Sequence, residues 1–95
     1  MSVYVDPMMG WPQTKRWPYG EVSHLIGDDE TELHEFAKLI GLKRWWFQKQ
    51  AGHIPHYDLT SGKRRLAIKH GAIEVNRKQF VHMLRKYRKK VRRRK

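Results

Sequence analysis

The sequence predicts a small α/β domain, a mainly parallel four-stranded sheet with helices packed on it, in the order β-β-α-β-α-β-α. Three observations predict it. One amphipathic helix with a complete set of caps spans roughly residues 29–40. Short β-branched and aromatic runs flank it. Gly, Pro, Asn and Asp then separate strand-like from helix-like segments along the chain.

The first strand is residues 2–5 (SVYV), ended by Asp6-Pro7, because proline biases the residue before it away from helix. Asp6 therefore falls at that strand's C-terminal end. Residues 7–20 hold three prolines and two glycines, which exclude regular structure. Trp17 and Tyr19 are expected to cap the core from this loop, and Trp11, Lys15 and Arg16 to be exposed. A second strand covers residues 21–26 and carries His24. In the helix that follows, Asp28 or Asp29 is the N-cap and Asp29 with Glu32 has capping-box spacing. Leu33, Phe36, Ala37 and Ile40 form its buried face, and Gly41 suits the C-terminal cap.

Residues 42–48 read as a third strand whose continuous bulk fits a central parallel position, its three aromatics filling core on both faces. At most one of Trp45 and Trp46 is expected to be free. Thr60 or Ser61 caps a second helix running to about His70, with Leu66 and Ala67 inward. Residues 72–75 (AIEV) form a fourth strand. Asn76 caps a third helix, on which Phe80, Leu84, Tyr87 and Val91 make a stripe at helical spacing. The expected division is a domain over residues 1–76 and a basic C-terminal helix or tail over residues 77–95.

Length and composition bound the rest. Ninety-five residues make one domain with a modest core. With no cysteine there is no disulfide, no Cys-based zinc site and no thiol nucleophile. No apolar run reaches membrane-span length and no leader pattern opens the chain, so a soluble cytoplasmic protein without membrane contact is expected. The net charge of +12 is concentrated at one end. Eleven of the 21 Lys and Arg residues lie from Asn76 onward with no acid among them, whereas the preceding residues carry ten basic and nine acidic side chains.

Residues 43–58, KRWWFQKQAGHIPHYD, gather more groups capable of chemistry than any other stretch. A strand running into a loop broken by Gly52 and Pro55 is a common layout for a site. The pieces SVYVD, SHLIGDDETELHEFAKLIGLKRWWFQ, HYDLT and KRRLAIKHGAIEV together resemble a family of small phage and bacterial proteins, domain of unknown function 4031, over residues 1–76. The resemblance implies a self-contained, phage-type domain and carries no activity with it.

Between Arg85 and Lys95 nine of eleven residues are basic. Such density attracts phosphate backbones by counterion release. The expected nucleic-acid contacts are Arg44, Lys63 and Arg64 on the body and Arg85, Lys86, Arg88, Lys89, Lys90, Arg92, Arg93 and Arg94 on the tail. The bland reading of the tail is a solubilising appendage, and a second functional reading is an arm that binds an acidic host protein. A hydrolytic reading takes Asp6, His24, His56, Tyr57 and Asp58 as a phosphodiesterase site, because histidine titrates near neutrality and suits acid–base work. Against it, a strand histidine is often a satisfied core residue, and Asp58 fits a turn before the second helix. His53, His56 and Asp58 have a spacing that could ligate a divalent metal, a weak pattern by itself. No organic-cofactor motif is present. Oligomeric state is not encoded in any of these patterns.

Overall fold

A computed structural model describes residues 2–50 and 53–93, with side chains to residue 92. Its strands are β1 (Val3–Val5), β2 (Met9–Gly10), β3 (Glu21–Gly27), β4 (Tyr57–Leu59) and β5 (Ile73–Glu74). The α-helices are α1 (Glu30–Leu39), α2 (Ser61–Lys69) and α3 (Arg77–Arg93).

The α/β class holds, but the sheet differs from the expectation in two respects. It has five strands, and it is mostly antiparallel: β3 runs against β1, β2 and β4, and only β1 and β5 are parallel. The reason lies in the connections. A parallel pair needs a crossover, whereas β1 returns to β3 through a loop without a helix, which gives an antiparallel partner. The path runs β2-β3-β1-β5, with β4 paired to β3.

The second correction is residues 42–48, which contain no strand. Residues Arg44–Trp46 form a 3-10 helix, and only Gln48 touches the sheet, through an isolated bridge to His56. Leu42, which looked like the start of a strand, completes the end of α1 instead. Gly41 adopts φ 82°, its N–H bonds to the Lys38 carbonyl, and the Leu42 N–H reaches back to the Ala37 carbonyl. That is a Schellman ending, in which the residue after the glycine supplies the apolar contact. Gly71 and Ala72 close α2 the same way, with Ala72 N–H on the Ala67 carbonyl. Once Leu42 is used as a cap, the aromatic run is displaced from the sheet. Trp45 is 75% and Trp46 47% exposed, and Phe47 alone packs against the core.

The main core cluster lies on one face of the sheet, beneath α1 and α2, while the other face buries Val22 and Ile26. Val3, Val5, Leu25, Tyr57 and Leu59 from the strands meet Leu33, Ala37, Ile40 and Ala67 from the helices. Asp29 caps α1 by accepting the Glu32 N–H at 2.7 Å, and Thr60 caps α2. Lys63 is drawn into the fold as well, its ammonium donating to the Ile40 carbonyl at 2.7 Å. In the long loop, Trp17 is half-buried and donates Nε1–H to the Glu21 carbonyl. Trp11, Lys15 and Arg16 are exposed as expected, but so is Tyr19, which lies edge-on to Trp17.

Asn76 and Gln79 cap α3 reciprocally, each side chain bonding the other's backbone N–H at 2.8 Å. Phe80, Leu84 and Tyr87 are half-buried, while Val91 is exposed. Asn76→Ala is expected to cost about 1 kcal/mol. The loss should appear in urea unfolding and as faster amide exchange at residues 77–80; unchanged exchange there would mean the cap is not holding the helix start.

Candidate functional site

The site forms on the sheet face opposite the core. Strand alternation puts Leu25 on the core side of β3 and His24 on the other. On β4 the same rule sends Tyr57 and Leu59 inward and Asp58 outward, in register with His24. Asp6 continues the register of β1, its N–H bonding the His24 carbonyl at 3.3 Å, so the same alternation sets it on the His24 side. Val5 pairs with Leu25 and Met9 with Val22, which leaves residues 7 and 8 opposite Ser23 alone, a one-residue excess of the β-bulge kind just after Asp6.

The Asp6 carboxylate folds back onto β3, and Asp6 is only 2% exposed. Oδ1 accepts from the His24 N–H at 2.6 Å and from Ser23 Oγ at 3.0 Å. Oδ2 lies 2.8 Å from His24 Nδ1. Burial pushes the Asp6 carboxyl up, but the bonds from His24 outweigh it and hold the group below the usual carboxylate range. An ionised carboxylate only accepts, so His24 Nδ1 carries the proton and Nε2 faces away from Asp6.

His24 Nε2 is 3.9 Å from Asp58 Oδ1, and His56 Nε2 is 3.4 Å from the same oxygen. The two rings meet edge to face with centroids 5.0 Å apart. His56 Nδ1 is 2.9 Å from the Ile54 carbonyl, which can only accept. The other Asp58 oxygen receives the Gln48 amide. Burial raises the Asp58 carboxyl, and His56 and Gln48 more than reverse that. Burial lowers His56, yet Asp58 and the Ile54 carbonyl move it above the ordinary histidine range. The arrangement can hold a shared proton between His56 and Asp58, or a cation among all three side chains.

Phe80 of α3 stacks on the His24 ring, with centroids 5.5 Å apart and planes 14° from parallel. The basic helix thus begins against the polar cluster. Arg64 stands behind it, donating Nε–H to the Asp6 carbonyl at 2.8 Å and pairing with Glu74 at 3.3 Å.

Asp6, His24, His56 and Asp58 are therefore brought together, and Tyr57 is not. Its hydroxyl is 2.8 Å from His34 Nδ1, in a cluster with Phe47 on the core side. Alternation on a strand forbids neighbours 57 and 58 from facing the same way. His53 is exposed and lies outside the metal-competent group, in which His24 joins His56 and Asp58. Lys63 and Arg64 are engaged within the fold, whereas Arg44 is exposed and lies over the Phe47 ring. Arg85, Lys86, Arg88, Lys89, Lys90, Arg92 and Arg93 fall on α3, and Arg94 lies outside the described residues. Sequence reasoning places Gln48 at the sheet edge beside Asp6 and the His56 loop, but it missed Ser23 and gave Phe80 only a place on the stripe of α3. The spacing of Gln48 and His56 around a Gly/Pro loop was the one available signal for a hairpin-like bridge. No helix among the described residues is long and apolar enough to cross a membrane.

A family model described as "Protein of unknown function (DUF4031)" matches residues 3–87. No curated protein and no solved structure matches the chain.

Proposed function

The chain belongs to the DUF4031 family of proteins of unknown function, and from that premise we propose that it binds nucleic acid through the phosphate backbone, with α3 as the principal contact. The family match runs through Tyr87 and so takes in the start of α3 but little of the basic run after it. The observation that carries the reading is the stacking of Phe80 on His24, which roots the cationic helix at the polar cluster. A phosphate drawn in by Arg85, Lys86 and Arg88 then tracks a helix whose first turn leads to His24, His56 and Asp58. Trp45 and Trp46, exposed beside Lys43 and Arg44, offer faces on which unpaired bases stack.

The test is fluorescence anisotropy with a labelled single-stranded oligonucleotide and with a duplex, comparing the full chain with one ending at Leu84. Binding by the full chain and its loss on truncation support the reading. Equal affinity of the two chains overturns it. Binding that persists only for acidic polypeptides and not for nucleic acid favours the host-protein reading instead.

The convergence of His24, His56 and Asp58 supports a second step, hydrolysis of the bound phosphodiester. Water adds to phosphorus, the bond to the leaving oxygen breaks, and the proton lost by water is balanced by one delivered to that oxygen. In a labelled-oligonucleotide assay, His56→Gln is expected to reduce cleavage by about 100-fold or more, a far larger change than in binding. Comparable losses in both would remove the catalytic reading and leave the binding one.

A further inference from the structure

We infer that His24 Nε2, His56 Nε2 and Asp58 Oδ1 form a three-ligand site for a divalent first-row transition metal, with zinc as its probe.

Both ring protons at Nδ1 are committed to acceptors. Asp6 takes the N–H of His24 at Nδ1, and the Ile54 carbonyl takes that of His56 at Nδ1. Each neutral ring then presents a lone pair at Nε2. Gln48 occupies one oxygen of Asp58, and the other, Oδ1, faces both rings. Two nitrogen lone pairs and a carboxylate oxygen thus converge on one small space, a repulsive arrangement unless a cation lies among them. One proton relieves only part of this. It joins His56 to Asp58, and it leaves His24 Nε2 3.9 Å from the oxygen, beyond hydrogen-bond reach.

A metal satisfies all three groups at once. Tetrahedral coordination with bonds of about 2.0 Å requires ligand atoms about 3.3 Å apart. The two separations from Asp58 Oδ1 are 3.4 Å and 3.9 Å, and all three ligand atoms lie within 4.8 Å of one another. Small side-chain rotations therefore close the site. Its supporting contacts also match what metal sites need. Each ligand's second polar atom is held by a specific partner, Asp6, Ile54 or Gln48, which fixes tautomer and orientation. Two imidazoles with one carboxylate suit zinc and its first-row neighbours rather than calcium or magnesium. Three protein ligands leave a position for water, as in sites that do chemistry.

This inference goes beyond nucleic-acid binding and is tested without nucleic acid. Metal-stripped protein is titrated with Zn²⁺ by calorimetry, and Co²⁺ is added in parallel to read the visible bands of a tetrahedral site. One equivalent per chain is expected, undisturbed by excess Mg²⁺. Asp58→Asn and His56→Ala should weaken binding at least 100-fold. Asp6 is a positioning residue. Asp6→Asn presents an amide N–H to His24 Nδ1 and moves the ring proton to Nε2, so affinity should fall about 10–100-fold while circular dichroism shows a folded chain. Joint replacement of the exposed His53, His70 and His82 by alanine should change nothing. Substoichiometric binding, binding abolished by that surface triple variant, or binding indifferent to His56→Ala and Asp58→Asn would each overturn the assignment.

Discussion

Asp6→Ala is expected to lower the melting temperature by roughly 12–40 °C, from a loss of about 3–5 kcal/mol at about 4–8 °C per kcal/mol for a domain of this size. The carboxylate is buried and anchors three donors: the His24 N–H, the Ser23 hydroxyl and His24 Nδ1. Truncation leaves the backbone N–H without that acceptor at the centre of β3, where water has little access, and the cost is its desolvation rather than the net worth of one bond. A 95-residue domain is held by only about 5–15 kcal/mol in total, so the loss is a large fraction of the whole. Asp6→Asn should cost much less, because its amide oxygen still accepts from the His24 N–H. Chemical denaturation of both variants checks this, and an alanine variant within about 1 kcal/mol of the parent would show that the bulge does not depend on its carboxylate.

The same residue sets a pH dependence in the metal-free chain. The folded-state value of Asp6 lies below the ordinary carboxylate value of 3.8. Its contribution is therefore complete above that value and is lost as pH falls through the lower folded one. Asp58 is depressed too and acts in the same direction. His56, raised above 6.5, contributes below that value and loses its contribution as pH rises through the folded one. Stability should thus be greatest between the two windows. Asp6→Asn should flatten the acid limb in part, leaving the share that belongs to Asp58.

Nucleic-acid affinity is expected to fall about 1,000-fold between 50 and 200 mM salt if α3 and the residues after it neutralise about six phosphates. The log–log slope should be about −5 on a duplex and about −4 on a single strand. The apolar stripe of Phe80, Leu84, Tyr87 and Val91 occupies one side of α3, and the basic residues from Arg85 onward spread over the rest. Ending the chain at Leu84 should bring the slope close to zero. Anisotropy titrations at several salt concentrations measure it directly, and a slope that the truncation leaves unchanged would locate the contacts elsewhere.

Local signals carried much of the fold into view. The caps to within one residue (Asp28 or Asp29, Thr60 or Ser61), Gly41 as a helix end, and the Leu33–Ala37–Ile40 face were legible, because each depends on neighbours a few residues away. The aromatic run misled for an instructive reason. Trp45, Trp46 and Phe47 have strand propensity, yet propensity gives way when the end of α1 takes Leu42 as its apolar contact. Strand direction was equally out of reach, since it depends on which distant segments meet β3. At the site, the residue types could be read from the chain but their grouping was incomplete. His53 looked like a partner for His56 by spacing alone, and Tyr57 looked like a neighbour of Asp58 by adjacency alone.

The charge division, the three capped helices and the supply of histidines and carboxylates are all written in the order of residues along the chain. Which of those groups meet is a property of the folded sheet. Pairing of β3 with both β1 and β4 set His24, His56 and Asp58 around one point, with Asp6 behind His24, and turned Tyr57 away. That outcome rests on long-range register, where a shift of one residue reverses every side chain, and no local pattern in the chain specifies it.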